Sequence, residues 1–426
     1  MRTALRLLRE YESPNVTFIE PDGSWPIVWA RARGVHVWDD RGRKYLDLTA
    51  AFGVCAAGHV NPRIVRAGQR QMARLLHAMG DVHPHPLKAE LARELSRLTF
   101  ERWRAGKGRT IFCNSGFEAV EAALKTAMLI TGKRKVIAFE GAYHGLGYGA
   151  LNATHRQMFR EPFASQLGEF GEFVPFPTNQ DELISTERRV ENAMARGDVG
   201  AILVEPIQGR AGIRVPAPEL LPMLRKFCDD SGAVLIVDEI YTGFGRTGRW
   251  FACEHTGTVP DIVCLGKALS GGFPISACVG KSALIERAWP KSRGEAIHTS
   301  TFLGHPVGCA MALANIAEIK SRGLVDTAAE RGTDLLESLA RVRAPGLRLQ
   351  PRGLGLMVGL EVRDASGGPA TDVTMRVVKA MLRRGFIVLP ESADGNVIGL
   401  TPPLVISKAQ LRHTVRELDC VLREVA

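Results

Sequence analysis

The chain has 426 residues, room for two or three domains, and its 45% hydrophobic and 23% charged residues exclude both a disordered chain and a small disulfide-stapled scaffold. The formal charge of +10 comes from 42 Arg and 13 Lys against 45 Asp+Glu. These basic residues stand in ones and twos, as at Arg188-Arg189 and Arg383-Arg384, with no aromatic-interleaved stripe, which argues against a nucleic-acid partner.

In chain order, Val35–Trp38 and Lys44–Leu48 make a hairpin pattern joined by Asp39-Asp40-Arg41-Gly42-Arg43. Short β-branched runs then alternate with helical patterns. The runs are Thr110–Cys113, Val136–Phe139, Ala201–Val204, Val234–Val237, Ile262–Leu265 and Ile275–Val279. Between them the spacing predicts helices over Glu118–Ile130, Asp181–Arg196 and Pro218–Asp229. After about residue 315 come a long helix (Ala310–Ser321 and beyond), strands at Leu354–Val362 and Phe386–Leu389, and a closing helix at Lys408–Glu424. Runs that are apolar throughout belong in a mostly parallel sheet covered on both faces. The expected class is therefore α/β, with a large domain at 60–315 and a smaller α+β domain built from both chain ends, 1–59 and 316–426. Eight cysteines without a C-x-x-C pair read as buried thiols of a reducing compartment, with no metal centre. Met1–Glu12 makes no signal peptide and no apolar run approaches the roughly 20 residues of a membrane span, so a cytoplasmic protein without a membrane partner is expected.

An open parallel sheet binds ligands beyond the carboxyl ends of its strands, so the residues after each run are the first candidates. Ser115, Gly116 and Phe117 follow the first run and open a helix, whose free N–H groups suit a phosphate. Ser115 and Glu118 are equally a capping box, which needs no ligand. Tyr143 and His144 follow the second run, Glu205 the third, Asp238 the fourth and Lys267 the fifth. A lysine hemmed in by apolar chain has its pKa lowered by desolvation and becomes a nucleophilic amine able to form a Schiff base; the plainer alternative is a strand-end lysine reaching solvent. Asp238 alone is an N-cap or ion-pair residue. Together with Lys267 it suggests an amine that captures an aldehyde and a carboxylate that keeps a pyridine nitrogen protonated. Asp238 and Ile240 fall on one side of a strand, as contacts to a ring's edge and face require. Tyr143 could stack on the other face or be a core aromatic, and His144 alone is a turn histidine. Gly243-Phe-Gly-Arg-Thr-Gly248 matches G-x-G-x-x-G, but two acids precede it and no helical pattern follows, so no dinucleotide site is expected.

Taken together, Asn114-Ser-Gly116, Tyr143-His-Gly145, Glu205-Pro-Ile-Gln-Gly209, Asp238-Glu-Ile-Tyr-Thr-Gly-Phe-Gly-Arg-Thr-Gly248, Gly266-Lys-Ala-Leu-Ser-Gly-Gly272 and Thr299-Ser-Thr-Phe-Leu-Gly-His-Pro306 resemble the class III pyridoxal-phosphate aminotransferases. That group includes the ornithine, acetylornithine and 4-aminobutyrate enzymes. Gly34–Asp47 resembles the family's N-terminal hairpin, so the likeness covers nearly the whole chain. It implies a fold-type I homodimer with pyridoxal 5'-phosphate held at the subunit interface. It also implies Lys267 as the Schiff-base lysine, Asp238 at the pyridinium nitrogen, and Tyr143 and Ile240 on the ring faces. Ser115, Gly116 and Phe117 would sit at the phosphate, Thr301 would reach the neighbouring subunit's phosphate, and Glu205 and His144 would lie nearby. The implied activity moves an amino group from an amino acid or amine, ω-amines included, to a keto acid; the alternative is an amino-acid racemase or epimerase on the same fold.

Departures from the family pattern bear on substrate. Many relatives follow the Glu205 motif with a glutamate that pairs with an arginine just before the C-terminal Pro-Pro, a switch acting on the second carboxylate of 2-oxoglutarate. Here those positions hold Arg210 and Gly399. Arg210 is expected to meet a substrate carboxylate, with a surface salt bridge as the plainer alternative. Tyr241 could offer its hydroxyl to the cofactor's phenolic oxygen, and Phe117 replaces a small residue. His305, often asparagine or aspartate in relatives, has no account at this level. Trp25, Phe52 and Val54 are pocket candidates by position alone.

Overall fold

A computed structural model describes residues 3–425; Met1, Arg2 and Ala426, at the ends of the expected terminal segments, lie outside the described residues. Strands β1 (Trp29–Arg33), β2 (His36–Asp39) and β3 (Lys44–Asp47) form an antiparallel meander. The large sheet follows with β4 (Gly108–Cys113), β5 (Lys135–Phe139), β6 (Gly171–Val174), β7 (Val199–Val204), β8 (Val234–Asp238), β9 (Ile262–Leu265) and β10 (Ser276–Lys281). Its order is β4-β10-β9-β8-β7-β5-β6. Only β10 runs antiparallel to its neighbours, so the sheet is mixed rather than wholly parallel. Every residue of β7, β8 and β9 is buried, as their apolar composition requires of central strands covered on both faces.

The C-terminal part contributes β11 (Leu347–Leu354), β12 (Met357–Asp364), β13 (Phe386–Ile387), β14 (Leu389–Glu391) and β15 (Val397–Leu400). β13 pairs in parallel with β3, so the N-terminal meander takes its fourth strand from far along the chain. β14 belongs instead to the sheet β11-β12-β15-β14. Two expectations change here. The single strand read at Leu354–Val362 is the second half of a β11–β12 hairpin that turns at Gly355 (φ +54°), and the run Phe386–Leu389 is divided between two sheets. The long helix also breaks: Pro306–Ser321 ends at Arg322, and Gly323 (φ +57°) starts a second helix over Leu324–Leu339.

His305 now has a role. It caps the helix Pro306–Ser321, its Nδ1 accepting the Val307 N–H at 3.2 Å, as an asparagine or aspartate oxygen would. Six cysteines are buried; Cys55 is half-buried and Cys420 is exposed on the closing helix Lys408–Val425, so the expectation of buried thiols fails at these two. Among the described residues no helix is long and apolar enough to cross a membrane, and no group of side chains could hold a metal ion.

The helix Leu324–Leu339 lies on the β11–β12 turn through two glycines. A Cβ on Gly332 would stand 2.1 Å from the carbonyl oxygen of Gly355. Because that obstacle is backbone, Gly332→Ala is expected to destabilise the protein by about 2–3 kcal/mol, read as a fall of several degrees in Tm.

Candidate active site

Strands β4, β5, β7, β8 and β9 all deliver residues to one cavity of about 370 Å³, within the range of small-molecule and cofactor sites. Its wall includes Gly116 and Phe117 after β4, Tyr143 and His144 after β5, and Glu205 and Arg210 after β7. Asp238, Ile240 and Tyr241 enter from the end of β8, and Lys267 follows β9.

Asp238 is the last residue of β8 and is almost fully buried. Its Oδ2 lies 2.8 Å from Nδ1 of buried His144, and its Oδ1 accepts the Ile240 N–H at 3.0 Å. His144 is fixed in turn by its own N–H, which donates to Thr154 Oγ1 at 3.0 Å. The carboxylate thus has one orientation, set by an imidazole and a main-chain amide.

Lys267 adopts φ +39°, a left-handed conformation that costs a residue with a side chain about 1–3 kcal/mol and that collects at functional sites. Its Nζ sits 3.6 Å from the centre of the Tyr241 ring. Burial lowers its pKa to about 8, against the opposing pull of Asp238 and Glu205. At pH 7 about one such amine in ten is neutral, against about one in three thousand for an exposed lysine.

The carboxylates around this pair are stitched to main chain. Burial pushes Glu205 up to about 7; its two oxygens accept the N–H groups of Tyr143 (2.9 Å) and Gly209 (3.1 Å), tying two loops of the rim. Glu239, raised by burial to about 7, accepts from Cys253 N–H at 2.8 Å and from the Thr242 hydroxyl.

The Tyr241 hydroxyl oxygen lies 3.1 Å from Thr401 Oγ1. The ring is clamped between glycines, since a Cβ on either Gly53 or Gly209 would come within 2.5 Å of it. The Gly243–Gly248 loop holds no phosphate cradle. Gly245 packs on Val325 and Leu404, Gly248 on Ala329, and buried Arg246 donates to the carbonyls of Leu356 (2.9 Å) and Pro402 (2.6 Å).

At the start of the helix Gly116–Thr131, Glu118 accepts the N–H groups of Asn114 (2.7 Å) and Ser115 (2.9 Å). The Ser115 hydroxyl oxygen is buried with no hydrogen-bond partner, as is Nε2 of His144. A Cβ on Gly116 would touch the Ile240 side chain at 3.1 Å, and Gly145 leaves room for Phe117, whose Cβ would lie 2.3 Å from a side chain there. Orphaned polar atoms at the edge of a cavity, beside a helix start and close-packed glycines, fit a phosphorylated ring cofactor.

Four candidates stand apart from this group. Thr301 is exposed outside the cavity. Trp25 packs with Val37, Tyr45 and Ile387, and Phe52 is 55% exposed, beside half-buried Val54. Thr154, Thr401 and Glu391 were not anticipated; only Thr401, two residues after Gly399, lay near a position already singled out.

The class III aminotransferase family model matches residues 19–422. The chain is 37% identical to the acetylornithine aminotransferase of Methanosarcina mazei, over 93% of this chain and 92% of that one. It is also 37% identical to the putrescine aminotransferase of Pectobacterium atrosepticum, over 99% and 88%. An amine transaminase from an uncultivated Pseudomonas species, solved in its PLP-bound form, superposes with a TM-score of 0.89 at 27% identity, covering 98% of this chain and 99% of that one. Relatives of this identity and coverage, on the geometry above, establish that the chain belongs to the class III aminotransferase family.

Proposed function

We propose that the protein transfers an amino group from a terminal amine to a keto acid with pyridoxal phosphate, acting as a cytoplasmic homodimer. Bound pyridoxal phosphate supplies an aldehyde that captures primary amines and a protonated ring that accepts electrons from the carbon losing its proton. Lys267 Nζ holds the cofactor and, once released, carries the proton between the two carbons as general base and acid. Asp238, oriented by His144, holds the proton on the ring nitrogen. Ile240 and Tyr143 bound the ring's two faces, and the Ser115 hydroxyl with the main-chain N–H groups of Gly116 and Phe117 receives the phosphate. Exposed Thr301 is free to serve a partner subunit's phosphate. Arg210 meets a substrate carboxylate. Residues 60–315 form the cofactor domain, and 1–59 with 316–426 form the small one, a division supported by the β3–β13 pairing.

One observation carries this reading: a lysine with its pKa lowered to about 8 shares a cavity with the fixed Asp238–His144 pair. The acetylornithine and putrescine relatives support a terminal amino donor. The named relatives are aminotransferases, and no observation favours a racemase. A panel of amines mixed with the holoenzyme tests it: terminal amines are expected to bleach the absorbance of the lysine-bound cofactor, which a keto acid then restores. A panel in which no amine does so overturns the reading.

A further inference from the structure

A second cavity, of about 700 Å³, opens between the loops that follow β5, β6 and β7 and the strands β11 and β12. It shares no lining residue with the catalytic cavity; the turn Gly209–Gly212 stands between the two, with Arg210 facing the first and Ala211 the second. Four guanidiniums face this second cavity, and they are not equivalent. Arg352 Nη1 and Arg363 Nη2 both donate to Glu361, at 2.6 and 2.8 Å. Arg156 and Arg214 form no ion pair among the described residues. Arg156 Nη2 donates to the Arg210 carbonyl (2.7 Å), while Arg214 Nη2 donates to the Phe176 carbonyl (2.7 Å) and its Nη1 lies 3.5 Å from Gln208 Oε1. Both are half-buried, and burial lowers the pKa of each. A half-buried cation that meets only neutral oxygens has lost water without gaining a counter-charge, and it keeps most of its five N–H donors for an anion.

Two glycines make space for this arrangement. A Cβ on Gly141 (φ +86°) would stand 2.9 Å from Gln208 Oε1 and 3.5 Å from Arg214 Nη1, and one on Gly212 (φ +100°) would stand 3.1 Å from Arg352 Nη2. The remaining wall offers acceptors. Among the described residues no hydrogen bond or ion pair engages the carboxylates of Glu140 and Asp394 or the Gln350 amide. His155, its pKa lowered by burial, adds no charge at pH 7. Two unanswered guanidiniums match the dianion of a phosphate monoester, and free carboxylates beside them match hydroxyl donors on the same molecule. The volume is too large for a bare ion and lies within the range of small-molecule sites.

We propose that this cavity is a second binding site, separate from the site of amino transfer, for a phosphate monoester that carries hydroxyl groups, in chemical class a sugar phosphate. Arg156 and Arg214 hold the phosphate, and Glu140, Asp394 and Gln350 receive the hydroxyls. The site stands whether or not the amino-transfer reading does.

Glucose 1-phosphate, which has no free aldehyde to react with an amine, serves as the probe by calorimetry on the holoenzyme. It is expected to bind at least about tenfold tighter than inorganic phosphate, and methyl glucoside is expected not to bind. Arg156→Ala and Arg214→Ala are each expected to weaken binding about tenfold, the loss of one charge-assisted contact. Glucose 1-phosphate that fails to bind, binds no tighter than inorganic phosphate, or binds either variant as tightly as the parent overturns the proposal. If a variant does not fold, the unmodified protein still decides. Phenylglyoxal labels arginines, and mass spectrometry of the peptides reads which ones; glucose 1-phosphate is expected to shield Arg156 and Arg214, and labelling of either one left unchanged overturns the site.

Discussion

Replacing Lys267 with alanine is expected to lower the rate of amino transfer by at least about 10⁴-fold while the protein stays folded. Two functions leave together: the covalent hold on the cofactor and the proton carrier, the second worth about 10²–10⁴ by itself. The surroundings cannot replace them. Of the other titratable groups in the cavity wall, Asp238 is engaged by His144, Glu205 accepts two main-chain N–H groups, and the Tyr241 hydroxyl, its pKa pushed up to about 12 by burial, lies against Thr401. Removing a part-buried cation held over the Tyr241 ring takes away charge from an apolar setting, so thermal unfolding should change by no more than a few degrees. Single-turnover absorbance with a reactive amine is the measurement; a variant retaining more than about one-hundredth of the parent rate would contradict the role.

The second large effect is expected at Asp238. Asp238→Asn keeps the volume and the Ile240 contact but removes the negative charge that favours a protonated ring nitrogen, and a loss of about 10²–10⁴ in kcat follows. Asp238→Glu, which keeps the charge and displaces it, should lose less. His144→Ala should lie between them, because it removes only the group that orients the carboxylate. If Asp238→Asn lost less than tenfold, the ring-nitrogen assignment would fail.

Much of the site was legible before the fold was known, for a physical reason. Strands buried on both faces are apolar along their whole length, so a charged residue at the end of such a run marks the rim where ligands bind. Asp238, Glu205 and Lys267 all carried that mark. The edge strands of the three sheets were harder to read. β1 is an edge strand with four of its five residues exposed, β6 is four residues long and starts at a glycine, and β11 alternates partly buried with exposed residues, so none has a continuous apolar signature. The ion pair of Arg210 with Glu391, at 4.0 Å, had no local signal at all, because it joins the loop after β7 to a strand late in the chain. Trp25, singled out by position alone, packs half-buried against Val37, Tyr45 and Ile387 of the N-terminal meander.

The central claim is that Lys267 holds the cofactor. Reducing the holoenzyme with borohydride makes a lysine–cofactor bond permanent, and mass spectrometry of its peptides then finds the modified residue. The account predicts the cofactor's mass on the peptide containing Lys267 and its disappearance after prior treatment with a reactive amine. Label on another lysine, or none at all, would contradict it.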